Sequence, residues 1–321
     1  MAWPPIPQTL VSSPFPVNFG YTYLQVSNTQ STATPTNFQQ YIQLPPWLSL
    51  NTWPLRFFAD PALTQPLYAW YETPTTVWVL LPNGIPANSS VNIYFNVDEP
   101  DGVYTGMAPY LSSTYGALDN GFTVFPALYD NFAGTTLKSI WNPIGLGMAL
   151  GSYSVNNGFT STCNTSERVA LDTATQTYSL AGVYFESCFG PVPAGLSDYD
   201  LFQFPQGVAT PGSNTDTLMF SLLGNVTLHY TDSAGDNLSD GTANVYLTNP
   251  HNILGVSANG SIVAGYVDYQ VIASVSETYV PSNIYFNAIL NNHSGTTSPT
   301  LYWTRIRAYP PNGVQPSVSF V

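Results

Sequence analysis

The sequence predicts an all-β protein built from two β-sandwich, jelly-roll-like modules with an extended N-terminal arm, and three observations predict it. Short runs of alternating apolar residues recur between turn signals. The 28 prolines and 24 glycines spread through 321 residues leave little room for long helices. Only 7% of residues are charged, against about 25% in an average soluble protein, so solubility rests on Ser, Thr, Asn, Gln and Tyr. A chain of this length can bury two cores, and 44% of it is apolar or aromatic.

Residues 1–18 carry Pro4, Pro5, Pro7, Pro14 and Pro16 and read as an extended arm that needs a partner to be ordered. Residues 19–105 read as a small sandwich. There the run 75–81 places Val77, Val79 and Leu81 on one face, Pro82-Asn83-Gly84 supplies a turn, and 91–95 resumes the alternation. These two runs are expected to be neighbouring antiparallel strands. Residues 106–125 lack periodicity and read as a connection. Residues 126–321 form the second sandwich. It contains a strand, an Asn157-Gly158 turn signal and a second strand, then further strand-like runs at 225–230, 241–248, 261–276 and 301–308.

Eighteen carboxylates face five cations, Arg56, Lys138, Arg168, Arg305 and Arg307, for a net charge of -13. With no basic patch to neutralise phosphates, nucleic acid and anionic membrane surfaces are excluded as partners. Below about pH 4 the carboxylates are neutral and few charges remain, so the composition suits an acidic exterior. No apolar run of about 18 residues is present, which argues against an integral membrane protein. Residues 1–7 have no positive n-region and are broken by prolines, so the chain is expected either to be numbered after processing or to leave a cell within a particle. Cys163 and Cys188 bracket a strand-like segment, and a disulfide between them would contribute about 3 kcal/mol. Two buried free thiols are the alternative, and the spacing matches no redox or zinc pair.

Residues 56–60 (RFFAD), 67–72 (LYAWYE), 77–79 and 85–94 resemble an uncharacterised β-sandwich module of archaeal surface and archaeal viral proteins, although Asp60-Pro61-Ala62 replaces that module's usual Asp-Gly turn. Residues 129–137, Trp141 and 153–158 resemble the opening of a concanavalin A-like lectin/glucanase jelly roll, and 302–313 is similar to the terminal strand of the same tandem. The resemblance covers residues 20–321. It implies a jelly roll whose first strand lies beside its last, and a fold suited to glycan binding or glycan cleavage.

Cleavage needs two carboxylates a few ångströms apart, and no glucanase-type acidic motif is found on one strand. Asp198 and Asp200 come nearest but follow a Pro-rich loop, so no catalytic residue is expected. His229, His251 and His293 lie in no catalytic or zinc motif, and His229 reads as a sheet residue. Asp232, Asp236 and Asp240 fall within one Asn/Ser/Gly-rich loop that could hold calcium, though turn chemistry alone accounts for it. No other cofactor is expected. Sequons occur at Asn88, Asn164, Asn225, Asn237, Asn259 and Asn292, where glycosylation would require surface loops. The aromatic residues, 14% of the chain, suit sugar stacking as well as core filling.

These readings predict a non-enzymatic structural or attachment protein on the surface of an archaeal virus, as a capsid, turret or spike component. Its partners would be other subunits of the particle and host glycans, in an oligomer. The alternative is a secreted glycan-binding adhesin or cell-surface filament subunit, in which the arm donates a strand to its neighbour.

Overall fold

The structure is a computed structural model that describes residues 23–97, 101–112, 116–145, 148–191, 200–202, 219–222, 226–231, 237–243, 249–276, 284–291 and 296–321. Among these the secondary structure is strands and short turns, with one α-helical turn at Gly121–Val124 and 3-10 turns at Pro46–Leu48 and Pro311–Gly313. No helix is long and apolar enough to cross a membrane. The arm at 1–18 lies outside the described residues.

Two sandwiches form. In the first, a five-stranded and a four-stranded sheet close on a core that includes Leu24, Phe57, Ile93, Tyr71, Val77 and Val79. Strand Thr76–Leu81 turns Val77, Val79 and Leu81 into this core, as the alternation requires. It does not pair with Ser89–Val97, however, which corrects the expectation of neighbouring strands: Thr76–Leu81 pairs with Phe38–Gln43 and Ala69–Thr73, whereas Ser89–Val97 pairs with Tyr23–Asn28 and Leu55–Phe58 in the other sheet. The Pro82-Asn83-Gly84 turn therefore carries the chain between sheets. Gly84 sits at φ +63°, and a Cβ there would lie 2.4 Å from the Pro35 carbonyl oxygen, so the crossing needs glycine.

Strand Thr105–Met107, where residues 19–105 meet the expected connection, pairs in parallel with Ala69–Thr73. The last strand, Ser317–Phe320, returns to pair with Tyr23–Asn28, so the first sandwich is completed from both ends of the described chain.

The second sandwich closes an eight-stranded sheet on a nine-stranded one around Trp141, Leu171, Phe185, Val256, Phe286 and Ile306. Its first strand, Leu128–Asp130, pairs with Leu301–Ala308, the first-beside-last arrangement the resemblance implies. Ser152–Val155 and Phe159–Cys163 form the expected hairpin, with Asn157 at φ +55° and Gly158 at φ +137°.

The disulfide expectation is corrected. Cys163 and Cys188 are both buried thiols with no disulfide between them. Cys163 packs in the core of the second sandwich, whereas Cys188 packs beside Trp303 at the junction with the first. The nine-stranded sheet itself stands between them.

Candidate functional site

Asp172 lies on strand Glu167–Tyr178, which sends Val169 and Leu171 into the core. Strict alternation turns Asp172 to the opposite face of the eight-stranded sheet. Its cross-strand partners are Asn142 on Trp141–Ile144 and Asn287 on Ile284–Asn291, giving a row Asn142, Asp172, Asn287 across three adjacent strands. Flanking residues Trp141, Phe286 and Ala288 face the core, which fixes the row on the outer face.

The ladder is irregular at this row. Register shifts flank Asp172 on both sides against Ile284–Asn291. Thr173 bridges the irregularity: its Oγ1 accepts from the Phe286 N–H at 3.1 Å and donates to the Gln176 carbonyl at 2.7 Å. Bulges of this kind re-aim side chains beside functional sites.

The row opens to solvent at the exposed Asn142 and closes over Asn287, which is 0% exposed. Among the described residues neither Oδ1 nor Nδ2 of Asn287 has a hydrogen-bond partner, and Oδ1 of the buried Asp172 also lacks one. Orphaned buried donors and acceptors cost free energy unless something pairs with them. Burial pushes the Asp172 carboxyl up to about 6, against the hydrogen bond from Asn142 that lowers it. One neutral amide and one carboxyl that changes charge near neutral pH can thus offer both donors and acceptors to a hydroxyl-bearing ligand.

The outer face of the nine-stranded sheet meets the first sandwich, and two of the chain's five cations lie there. Arg305, 0% exposed, reaches Glu72 of the first sandwich at 2.9 Å and Glu186 of its own sheet at 2.7 Å. Arg307 completes the set at 2.7 Å from Glu186. The Tyr269 hydroxyl accepts from Arg305 at 2.6 Å and bonds Glu72, which also accepts from Trp78 Nε1 at 3.0 Å. The rings of Trp303, Trp78, Phe125 and Trp70 surround the Arg305 guanidinium at 4.5 to 5.3 Å. Burial pushes the Glu186 carboxyl up, but Arg307 and Arg305 outweigh it and hold it below its ordinary range.

Neither constellation is legible along the sequence, because Asp172 and Asn287 are partners across strands and not neighbours on one strand. The available signal was an Asp interrupting the apolar run Val169-Ala170-Leu171. Asp200 lies on strand Asp200–Phe202 opposite Leu290, and Asp240 on Asn237–Ala243 opposite Leu228. Their side chains, together with Asp198, Asp232 and Asp236, lie outside the described residues. Among the described residues no group of three His, Cys, Asp or Glu gathers to hold a metal. His229 is on strand Val226–Thr231, opposite Met219. His251 stacks on Tyr110 at 3.6 Å, and His293 lies outside the described residues. Sequon residues Asn88, Asn164 and Asn259 are exposed. Asn225, the Asn237 side chain and Asn292 lie outside the described residues.

No family model matches the chain. It is similar to uncharacterised protein 562 of Sulfolobus islandicus rod-shaped virus 1, 29% identical over 92% of this chain, and it spans 58% of that protein's length. Among solved structures it is similar to the β-glucanase of Bacillus licheniformis, 16% identical over 56% of this chain and 97% of that one, with a TM-score of 0.41. The endo-β-galactosidase of Clostridium perfringens that releases GlcNAcα1-4Gal is 12% identical over 58% of this chain and 62% of its own, with a TM-score of 0.44. A potassium-bound carbohydrate recognition domain is 14% identical over 56% and 94%, also with a TM-score of 0.44. At these identities and scores the likeness concerns the fold and nothing further. The expectation of a non-enzymatic chain is corrected to this extent: glycoside hydrolases stand among the solved structures it is similar to.

Proposed function

We propose that this chain is a protein of a virus particle that recognises a saccharide at the Asn142, Asp172, Asn287 row, with other subunits of the particle and surface glycans as its partners. The observation that carries the reading is Asn287: fully buried, with both amide atoms unpaired among the described residues, beside a carboxyl oxygen that is also unpaired there. A sugar hydroxyl donates and accepts at once, and so answers both needs. The likeness to a viral protein supports the particle. The resemblance of residues 20–321 to a tandem of surface module and lectin-like jelly roll supports the presentation.

A second reading, glycoside cleavage at the same row, is favoured by the Asp172 carboxyl at about 6. A carboxyl raised to that range is still partly protonated near neutral pH and can act as a general acid, one of the two carboxyls that cleavage requires.

A glycan array probed with the wild-type chain and with Asn287→Ala tests recognition. Binding of a defined glycan that falls at least tenfold in the variant is expected, and binding unchanged by Asn287→Ala would refute this site. New reducing ends from the bound glycan, lost in Asp172→Asn, would select cleavage. Mass spectrometry of purified particles tests the location.

A further inference from the structure

A cavity of about 470 Å³ opens where the two sandwiches meet, on the side of the molecule served by the nine-stranded sheet. Tyr41 and Trp78 enter it from the first sandwich, and Tyr184, Tyr266, Tyr269 and Arg307 from the second. Its volume suits a small ligand. Alternation explains the lining: Val77 and Val79 face the first core, so Trp78 must face out; Phe185 faces the second core, so Tyr184 must face out.

The rings are fixed before any ligand arrives. Tyr41 meets Trp78 edge-on at 5.3 Å and Tyr269 at 5.8 Å, and Tyr184 meets Tyr266 at 5.3 Å. The Arg307 guanidinium lies 3.7 Å from the Tyr184 ring centroid, with Nε held 2.8 Å from Glu186. Such a wall loses little side-chain entropy on binding.

One edge of the cavity is a strained turn. Asp268 and Tyr269 join strands Ile262–Val267 and Gln270–Ser276 as a two-residue hairpin loop with φ +47° and +66°. Turns with both central residues in the left-handed region ordinarily use Asn-Gly or Asp-Gly, so Asp268 suits its place and Tyr269, standing where glycine is preferred, carries the strain. Strain of this kind persists where surroundings over-determine it, and it concentrates at ligand clamps. Here Asp268 exchanges two 2.8 Å hydrogen bonds with the Ile253 backbone, and the Tyr269 hydroxyl is tied into the Arg305 and Glu72 network.

The polar lining narrows the ligand. Gln315 Nε2 is buried without a hydrogen-bond partner among the described residues, a donor awaiting an oxygen. Asp268 places a carboxylate on the same wall, which disfavours an anion, as does the chain's net charge of -13. Behind the wall, Arg305 and Arg307 are balanced by Glu72 and Glu186, so the network offers no net positive field. A purely apolar ligand would leave Gln315 unanswered. Fixed aromatic faces with separate donors and an acceptor fit a molecule with apolar C–H faces and a polar hydroxyl edge.

We infer that this junction cavity is a second saccharide site, selective for a neutral pyranose and separate from the row on the eight-stranded sheet. It requires both sandwiches, since Tyr41 and Trp78 come from one and the remaining rings from the other.

The test is titration calorimetry with glucose, galactose, mannose, N-acetylglucosamine and their neutral disaccharides. The protein carries Asn287→Ala, so that the first site is silent and its failure is read separately. One neutral sugar of the panel is expected to bind. Adding Tyr266→Ala should weaken it at least tenfold, Gln315→Leu about fivefold, and Tyr266→Phe, which keeps the ring, less than twofold. Thermal unfolding verifies that each variant is folded. No binding by any sugar of the panel would overturn the proposal. So would binding indifferent to both Tyr266→Ala and Gln315→Leu in folded protein, or tighter binding of glucuronate than of glucose.

Discussion

Arg305 of the second sandwich reaches Glu72 of the first at 2.9 Å, and both side chains are almost entirely withdrawn from water. A buried pair of this kind fixes geometry more than it adds stability, but removing one partner leaves an uncompensated charge. Glu72→Gln is expected to lower the unfolding free energy by about 3–5 kcal/mol, measured by urea denaturation. Adding Arg305→Met to Glu72→Gln should recover part of that loss, because the orphaned charge goes with it.

Acid should act on the fold through two carboxyls of opposite sign. Arg307 and Arg305 hold Glu186 below its ordinary value of 4.5, so its stabilisation is present above that value and is lost as pH falls through the folded value. Asp172 is raised from 3.8 to about 6, so its contribution is favourable in acid and declines as pH rises between those values. Urea midpoints between pH 3 and 7 should therefore show a destabilising limb at the acid end that Glu186→Gln abolishes. Asp172→Asn should leave stability at pH 7 equal to or above wild type. A fall there would contradict the raised carboxyl.

Thiol chemistry should separate native from unfolded chains. Burial pushes the Cys163 thiol up to about 11 and Cys188 well above its usual range, and thiolate is the reactive form. A colorimetric disulfide reagent at pH 8 should find little reaction in native protein and two thiols in guanidinium, with no reductant added. Fewer than two in guanidinium would reinstate the bridge.

Gly158 occupies φ +137°, where a Cβ would lie 2.4 Å from Thr300 Cγ2. Gly158→Ala is expected to cost about 1–3 kcal/mol, read as a lowered urea midpoint with an unchanged slope. The neighbouring Asn157, at φ +55°, should accept glycine at little cost.

Period-two alternation and turn chemistry are local properties, and they were legible in the sequence. Val77, Val79 and Leu81 fell on one face as read, and the Asn157-Gly158 hairpin formed where its turn residues stood. Which strands become neighbours is not local. Thr76–Leu81 and Ser89–Val97 are consecutive, yet they pair in different sheets, because each can bury its apolar face only by closing the sandwich from opposite sides. The same holds for the chemistry. Asp172 and Asn287 are more than a hundred positions apart and meet through strand register. Glu72 and Arg305 meet because the outer faces of two sheets are pressed together. By itself the sequence determined the all-β class and the scarcity of charge, since composition and periodicity suffice for both. Only the tertiary structure decided where the few charges and the unpaired amide lie, because burial and register are set by residues distant along the chain.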